Sequence, residues 1–379
     1  MEILLGTQAL EPRAYLVTVT EQLERLGHEV RVFSAEPMAS PEELRVVGVE
    51  RDLPLAPDVV YSQDADAALL LADLYPLTAQ VFASHGEGHD IWLPPQLAGI
   101  VARVVVFDDR TAERVSAASL PQGVVRLRRP VDLGRFKPRG PLPERPARAR
   151  LELEGLSDYR LGMLQRACAD ARVETDGGDA DMVVGRGLAV LEAMAAGLAA
   201  YVYGDDGGDG WVTPERYPLL EADGFSGRAE TSASDFETVR RDVDVYDPAM
   251  GPANRELAQA HDARRHAQEL IALFDDVKVR REPVDAPLRE MARLVRVEAA
   301  TARRAEAAVT AAEATAVRAA ALERALDEAR EEIRALAGRA AELEQALGRF
   351  RATQDTEPPK TRRGRGLLGR EGKVPSSEG

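Results

Sequence analysis

From residue 1 to residue 131 the chain alternates short β-rich runs with stretches of helical spacing, and few folds accept that order. Glu2–Leu5 reads as a strand. Leu16, Val19, Leu23 and Leu26 recur at helical intervals across Ala14–Leu26, and Gly27 stops that helix. Val30–Phe33, Asp58–Tyr61, Ala79–Ala83, Arg103–Phe107 and Val124–Leu127 follow as strands, with helices across Ala65–Leu74 and near Thr111–Ala118. Short apolar strands separated by helices form parallel sheets covered on both faces, because a strand with no polar side must bury both. A Rossmann-like domain is therefore expected over residues 1–131, with ligands at the carboxyl ends of its strands.

Two of those ends carry chemistry: Gly6-Thr7-Gln8, and Ser84-His85-Gly86-Glu87-Gly88-His89-Asp90. His85 and His89 stand four apart, a metal-ligand spacing on a helix, but Gly86 and Gly88 argue against a helix there and no metal is expected. His85 reads either as a cleft residue at a strand tip or as a solvated histidine in a glycine-rich loop.

Alternation resumes after Arg129-Pro130-Val131-Asp132 and the proline-rich stretch Pro138–Pro146. Strands are expected at Arg150–Leu153, Arg172–Thr175, Ala180–Val184 and Ala199–Tyr203, and helices at Leu161–Ala171 and Leu188–Ala195, the latter closed by Gly197. Gly185-Arg186-Gly187 lies between a strand and the Leu188 helix. Free amides and the positive end of the helix dipole make such a turn an anion site, and Gly187 carries no Cβ to obstruct a phosphate. Gly204-Asp205-Asp206-Gly207-Gly208-Asp209-Gly210-Trp211 reads as an acidic glycine-rich loop. Its three aspartates offer oxygens to a divalent cation, but the preferred reading is a mobile cover over a cleft that includes Asp209, Gly210 and Trp211, with Trp211 as anchor or stacking surface, against a plain turn. A helix near Asn254–Phe274 is expected to close the globular part against the core.

The run Val184-Gly185-Arg186-Gly187-Leu188-Ala189-Val190-Leu191-Glu192-Ala193-Met194-Ala195-Ala196-Gly197 resembles the signature of family 4 glycosyltransferases. Leu26-Gly27-His28-Glu29-Val30 and Arg129-Pro130-Val131-Asp132-Leu133-Gly134-Arg135-Phe136 are similar to that family's first crossover and interdomain linker, so the likeness spans about residues 1–276. It implies a GT-B fold, a pair of Rossmann-like domains facing each other across a cleft, with an acceptor side at 1–131 and a shortened donor domain at 132–276. It further implies sugar transfer with retention from a nucleotide-sugar donor to a glycan or lipid-linked acceptor, without a metal or other cofactor.

In that likeness Glu192 would hold the ribose diol. Gly185, Arg186, Gly187 and Leu188, with Gly6 and Thr7, would line the donor site, and His85 would act catalytically on the transferred sugar. The sequence departs from the pattern in three places. Val184 replaces the first of two paired glutamates, Ala9–Arg13 lacks the glycine pair, and the basic clamp of the diphosphate is unassigned, with Arg160 and Arg166 only nearby.

Beyond Phe274 the aromatic residues thin out, and with them the means of building a compact core. After a linker at 277–287, residues 288–350 contain no proline after Leu288. Leu322, Leu326, Ala329, Ile333, Leu336, Ala340, Leu343, Leu347 and Phe350 follow 4-3 spacing, a heptad seam on a helix about 95 Å long at ~1.5 Å per residue. A self-paired coiled coil and homodimer is expected, against a single charged helix or a different partner. The tail at 351–379 is basic and compositionally disordered, and suits either contact with an anionic membrane or a solubilising end.

The net charge of −15 argues against nucleic acid. Cys168 is the one cysteine, so no internal disulfide forms. No leader or membrane-length apolar run is evident, and a cytoplasmic protein is expected, at most peripheral at the inner face. The rival to an active transferase is a catalytically inactive GT-B-like nucleotide- or glycan-binding protein that recruits partners through its helix. A third reading is an assembly protein whose head only positions that helix.

Overall fold

A computed structural model describes residues 1–8, 13–34, 44, 46–47, 50–86, 90–97, 99–117, 123–138, 140–153, 156–175, 179–205, 207–230, 236–277 and 286–354. Its first layer is built from β1 (Glu2–Gly6), α1 (Arg13–Arg25), β2 (Glu29–Phe33), β3 (Val46–Val47), β4 (Val59–Ser62), α2 (Ala65–Leu74), β5 (Ala79–Ser84), β6 (Arg103–Val106), α3 (Asp109–Ala117) and β7 (Gly123–Arg126). The seven strands are all parallel, in the order β3-β2-β1-β4-β5-β6-β7. Ile3 of β1 stands beside Val30 on one side and Val59 on the other. The order reverses between β1 and β4, which makes the carboxyl ends of those two strands the switch point.

Period-two alternation divides the sheet's side chains between two cores. Ile3, Leu5, Tyr61, Val81 and Val105 pack under α1 and under Ala267, Leu270 and Phe274 of α9 (Ala263–Asp276). Leu4, Val60, Phe82 and Val104 pack under α2 and under Leu288 and Val295 of α10 (Ala286–Gln354). Each such fully buried side chain is worth about 1.5–3 kcal/mol. Arg296 ties the start of α10 to Glu50 (2.7 Å) and Asp73 (3.0 Å). The expected N-terminal domain is thus completed by residues far beyond 131.

The second layer holds β8 (Ala149–Glu152), α4 (Asp158–Asp170), β9 (Met182–Gly185), α5 (Leu188–Ala195), β10 (Ala199–Gly204) and β11 (Gly207–Trp211), followed by α6 (Tyr217–Ala222), α7 (Phe236–Asp244) and α8 (Met250–Ala258). Strands β8, β9 and β10 are parallel and β11 returns antiparallel, in the order β11-β10-β9-β8. This sheet follows chain order throughout and has no reversal.

Two expectations are corrected here. Arg172–Thr175 is not a strand: Arg172 turns out of α4 at φ +62°, and Glu174 makes only an isolated bridge to Arg148. Residues 207–211 are not a loop but β11, buried throughout.

Chain contacts separate Met1–Arg304, which contains both sheets, from Ala305–Gly379. In the second unit the described residues continue α10 to Gln354, and its seam side chains are open to solvent, Leu322 at 71% and Leu343 at 70%. The linker residues 278–285 and the basic tail from 355 lie outside the described residues. Among the described residues no helix is long and apolar enough to cross a membrane.

Candidate functional site

At the switch point the strand ends form a buried polar cluster. A Cβ on Gly6 would meet Leu71 of α2, so the glycine admits that helix, and its carbonyl takes the Gln63 amide at 2.8 Å. Thr7 donates its hydroxyl to Asp64 (3.1 Å) and its amide to the Phe33 carbonyl (3.0 Å). Asp64 also caps α2 through the Ala67 amide at 2.8 Å. Gly6 and Thr7, expected in the donor site, are therefore committed to the sheet end. Gln8 beside them is buried, and neither side-chain amide atom has a hydrogen-bond partner among the described residues.

His85 leaves the tip of β5 and packs edge-on to Tyr15 at 4.9 Å and against Phe107 at 5.2 Å. Its Nε2 lies 2.9 Å from Gln63 Oε1, and Gln63 is oriented by donating its amide to the Tyr61 carbonyl. Nε2 is therefore the protonated nitrogen and Nδ1 an acceptor with no partner. Burial, then Arg129 and His266, hold its pKa well below the ordinary value. The solvated-loop reading of His85 is thus replaced by a packed, neutral imidazole. His89 lies outside the described residues, and among the described residues no cluster of three His, Cys, Asp or Glu stands together.

The linker behind His85 is held by two histidines, His266 and His261, to which no motif assigns a role. His266 Nδ1 donates to the Arg128 carbonyl at 2.9 Å, so its Nε2 accepts from Tyr15, and Tyr15 in turn accepts from Tyr61 at 2.6 Å. His261 Nδ1 donates to the Arg129 carbonyl at 2.9 Å and its Nε2 accepts from Tyr217 at 2.8 Å. Arg129 donates to the His85 carbonyl at 3.1 Å and lies over the Phe107 ring, 5.0 Å from its centroid. These contacts span up to 251 residues of sequence, as Tyr15 with His266, and no local pattern announces them.

In the second layer, β9 ends at Gly185, where a Cβ would press on the Glu152 carbonyl and Ala189. Gly187 begins α5 with φ +56° and ψ −120°, a conformation that favours glycine. Its amide donates to the Phe225 carbonyl at 2.9 Å, so of the two amides expected to face a phosphate, one is taken. Leu188 stands at the first helical position behind it. Arg186 pairs with Asp205 at 2.7 Å. Glu192, one turn into α5, is partly buried and makes no hydrogen bond among the described residues. Burial raises its pKa, against the pull of Arg135. Val184, where a glutamate was expected, is sealed in the apolar core.

The segment after α6 crosses to the first layer. Ser226 and Gly227 press so closely on Gly204 that neither glycine could carry a side chain. Asp223 pairs with Arg110 at 3.0 Å, and Glu221 with Arg126 at 2.8 Å. Between the layers lies a small cleft with Phe107, Arg129 and His261 on one part of its lining and Leu191, Glu221 and Phe225 on the rest.

Asp209, Gly210 and Trp211 take no part in that cleft. Asp209, 2% exposed, accepts the amides of Ala229 (3.1 Å) and Glu230 (2.9 Å). Gly210 faces Arg216. Trp211 donates to the Asp242 carbonyl at 2.7 Å and packs edge-on to Tyr201 at 5.2 Å. The cover expected over the cleft is a structural edge strand. Of the two nearby clamp candidates, Arg160 stands beside Tyr203 and Arg166 is exposed on α4.

No known sequence family and no curated protein matches the chain. Among solved structures it is similar to Anabaena HepE in complex with UDP and glucose, at 13% identity over 73% of this chain and 100% of that one, TM-score 0.48. It is also similar to MurG of Acinetobacter baumannii, at 13% identity, 73% and 100% coverage and TM-score 0.42. The spinosyn forosaminyltransferase SpnP matches at 16% identity, 73% and 100% coverage and TM-score 0.43. At these scores the likenesses carry no argument about the site.

Proposed function

We propose that the protein is a GT-B glycosyltransferase of the family 4 type, transferring a sugar with retention from a nucleotide-sugar donor to a glycan or lipid-linked acceptor. The observation that carries the reading is Glu192: a carboxylate one turn inside a helix that opens on Gly187, with no partner of its own, on the helix whose Leu191 lines the cleft beside Arg129. Such a carboxylate accepts two hydroxyls of a ribose, while the Leu188 amide and the helix dipole favour a phosphate. Neutral His85 carries no proton at Nδ1, a buried atom, so its part in the reaction is to position the tip of β5 beside the sugar. With Val184 in place of a carboxylate, stabilisation of the developing positive charge falls to the departing diphosphate. No metal is required by this scheme.

The remaining parts of the proposal are a homodimer through 288–350, a cytoplasmic location and a peripheral contact of the basic tail with anionic lipid. Titration with uridine and guanosine diphosphates, followed by transfer assays with the matching nucleotide sugars, tests the reading. Binding of one diphosphate and turnover lost in Glu192→Ala support it; a chain that binds neither overturns it. A second reading, binding without turnover, is favoured by the Gly187–Phe225 bond and by Val184, and turnover with any acceptor eliminates it.

A further inference from the structure

We infer that two copies of the chain pair in parallel along a seam of α10 that begins at the head itself, at Met291 and Leu294, an inference that rests on the homodimer proposed above. The first turns of α10 are apolar on two sides. Leu288 and Val295 pack into the core that α2 shares, with Ala292 buried between them, and Arg296 fixes that side to Glu50 and Asp73. On the other side Met291, Leu294 and Val297 stand in solvent, Leu294 52% and Val297 51% exposed. A helix held to a monomer needs one apolar face, and a second exposed one marks an interaction surface.

Spacing and charge together name the occupant. Met291 precedes Leu326 by five heptads and Leu294 precedes Leu322 by four, so both take the register of the distal seam on the same helix, Met291 at a and Leu294 at d. Between the two leucine-bearing stretches that register passes Glu298 and then only small residues, Thr301, Ala305, Ala308, Ala312, Thr315 and Ala319. In a parallel pair each g residue meets the e residue of its partner's next heptad. Arg339 then meets Glu344, both exposed on α10, and the sequence repeats the combination at Arg318 and Glu323. Nowhere between Glu290 and Arg351 does this rule bring like charges together. An antiparallel pair sets g against g, where Arg304, Arg318 and Arg339 outnumber Glu290 and Glu332. Glu298, the only charged residue on the seam, meets its own copy when the two chains are in register, and a lone charge at a fixes one alignment at a cost in stability. The surface beside the head therefore fits the same stretch of a second copy, with both heads at one end of the pair.

Sedimentation and oxidative cross-linking of the full chain test this. Cys168 is buried with its thiol pushed up to about 11, so an introduced cysteine reports alone. Leu294→Cys is expected to cross-link to itself through most of the dimer, as is Leu343→Cys. Met291→Ser with Leu294→Ser should weaken the dimer about tenfold while the head melts as wild type, since both side chains are solvent-exposed. Arg339→Glu should weaken it by about the same factor, and adding Glu344→Arg should restore wild-type affinity. Those two positions lie too far round one helix to pair within it, so the recovery reports a contact between chains. A dimer in which Leu294→Cys fails to cross-link, or does so only with Leu347→Cys, overturns the parallel seam and leaves the homodimer standing. A loss at Arg339→Glu that Glu344→Arg does not recover likewise overturns the alignment alone. A wild-type chain that stays monomeric at every concentration overturns both.

Discussion

The amide of Gly187 donates to the carbonyl of Phe225 at 2.9 Å, so the helix that carries Glu192 starts with one of its amides satisfied by the fold itself. The bond depends on the backbone turn at Gly187, whose φ of +56° with ψ −120° strains any residue with a Cβ. Gly187→Ala is expected to cost about 1–3 kcal/mol although nothing lies within 4 Å of the added carbon. Urea denaturation measures this, and a loss under about 0.5 kcal/mol would show that the turn relaxes freely.

Asp209 and Trp211 are tied into the fold by the Ala229 and Glu230 amides and by Asp242 and Tyr201. Asp209→Ala leaves two inward-facing amides without an acceptor and should lower stability by about 1–3 kcal/mol. Diphosphate affinity, measured on the folded fraction, should stay within twofold. A selective loss of affinity at full stability would return β11 to the site.

Stability should fall on mild acidification. Burial pushes His261 down to about 4 and His266 to about 3, partly offset by their bonds to the Arg129 and Arg128 carbonyls. An unfolded histidine titrates near 6.5. Above that pH both states are neutral and the groups contribute nothing. Below it the unfolded chain takes up protons that the folded chain refuses, so each histidine removes about 1.4 kcal/mol per pH unit until its folded pKa is reached. Unfolding free energies at pH 7.5, 6.0 and 5.0 test this: His266→Gln should flatten the slope by about one proton, and a flat wild-type profile would contradict the burial of both rings.

Local signals are legible in the sequence and non-local ones are not. The sequence reading places α2 and α5 at their observed ends, because Asp64, Gly187 and Gly197 mark the termini within a few residues. It misses β11 because Gly207, Gly208 and Gly210 have no strand preference; pairing with β10 and the packing of Trp211 impose the conformation. It misses β3 because two valines carry no period. In the site, His85 and Glu192 were legible from a strand tip and a helix motif. Arg129 reads in the sequence only as linker, because its contacts with Phe107, His85 and His261 lie up to 132 residues away.

Glu192 should distinguish ribose from deoxyribose. Whichever nucleoside diphosphate binds, its 2′-deoxy analogue should bind about tenfold more weakly, and Glu192→Gln should shrink that difference without lowering stability. An unchanged ratio would remove Glu192 from the ribose.

The exposed seam of α10 should govern self-association. Changing Leu326, Ile333 and Leu336 together to serine should convert a concentration-dependent dimer to monomer in sedimentation experiments, with the melting of the head unaltered. A wild-type monomer would leave the helix unpaired or meant for another protein.

The packing of Ala267, Leu270 and Phe274 over α1, and of Leu288 and Val295 over the opposite face, has a consequence for how the chain is made. On the ribosome the seven-stranded sheet is synthesised first but is left with apolar ground uncovered until residues near 295 emerge. The second sheet, whose strands pair with their neighbours in order of synthesis, has every β partner in hand by residue 211. The half made later can therefore settle first, and the half made earlier must wait for the end of the head.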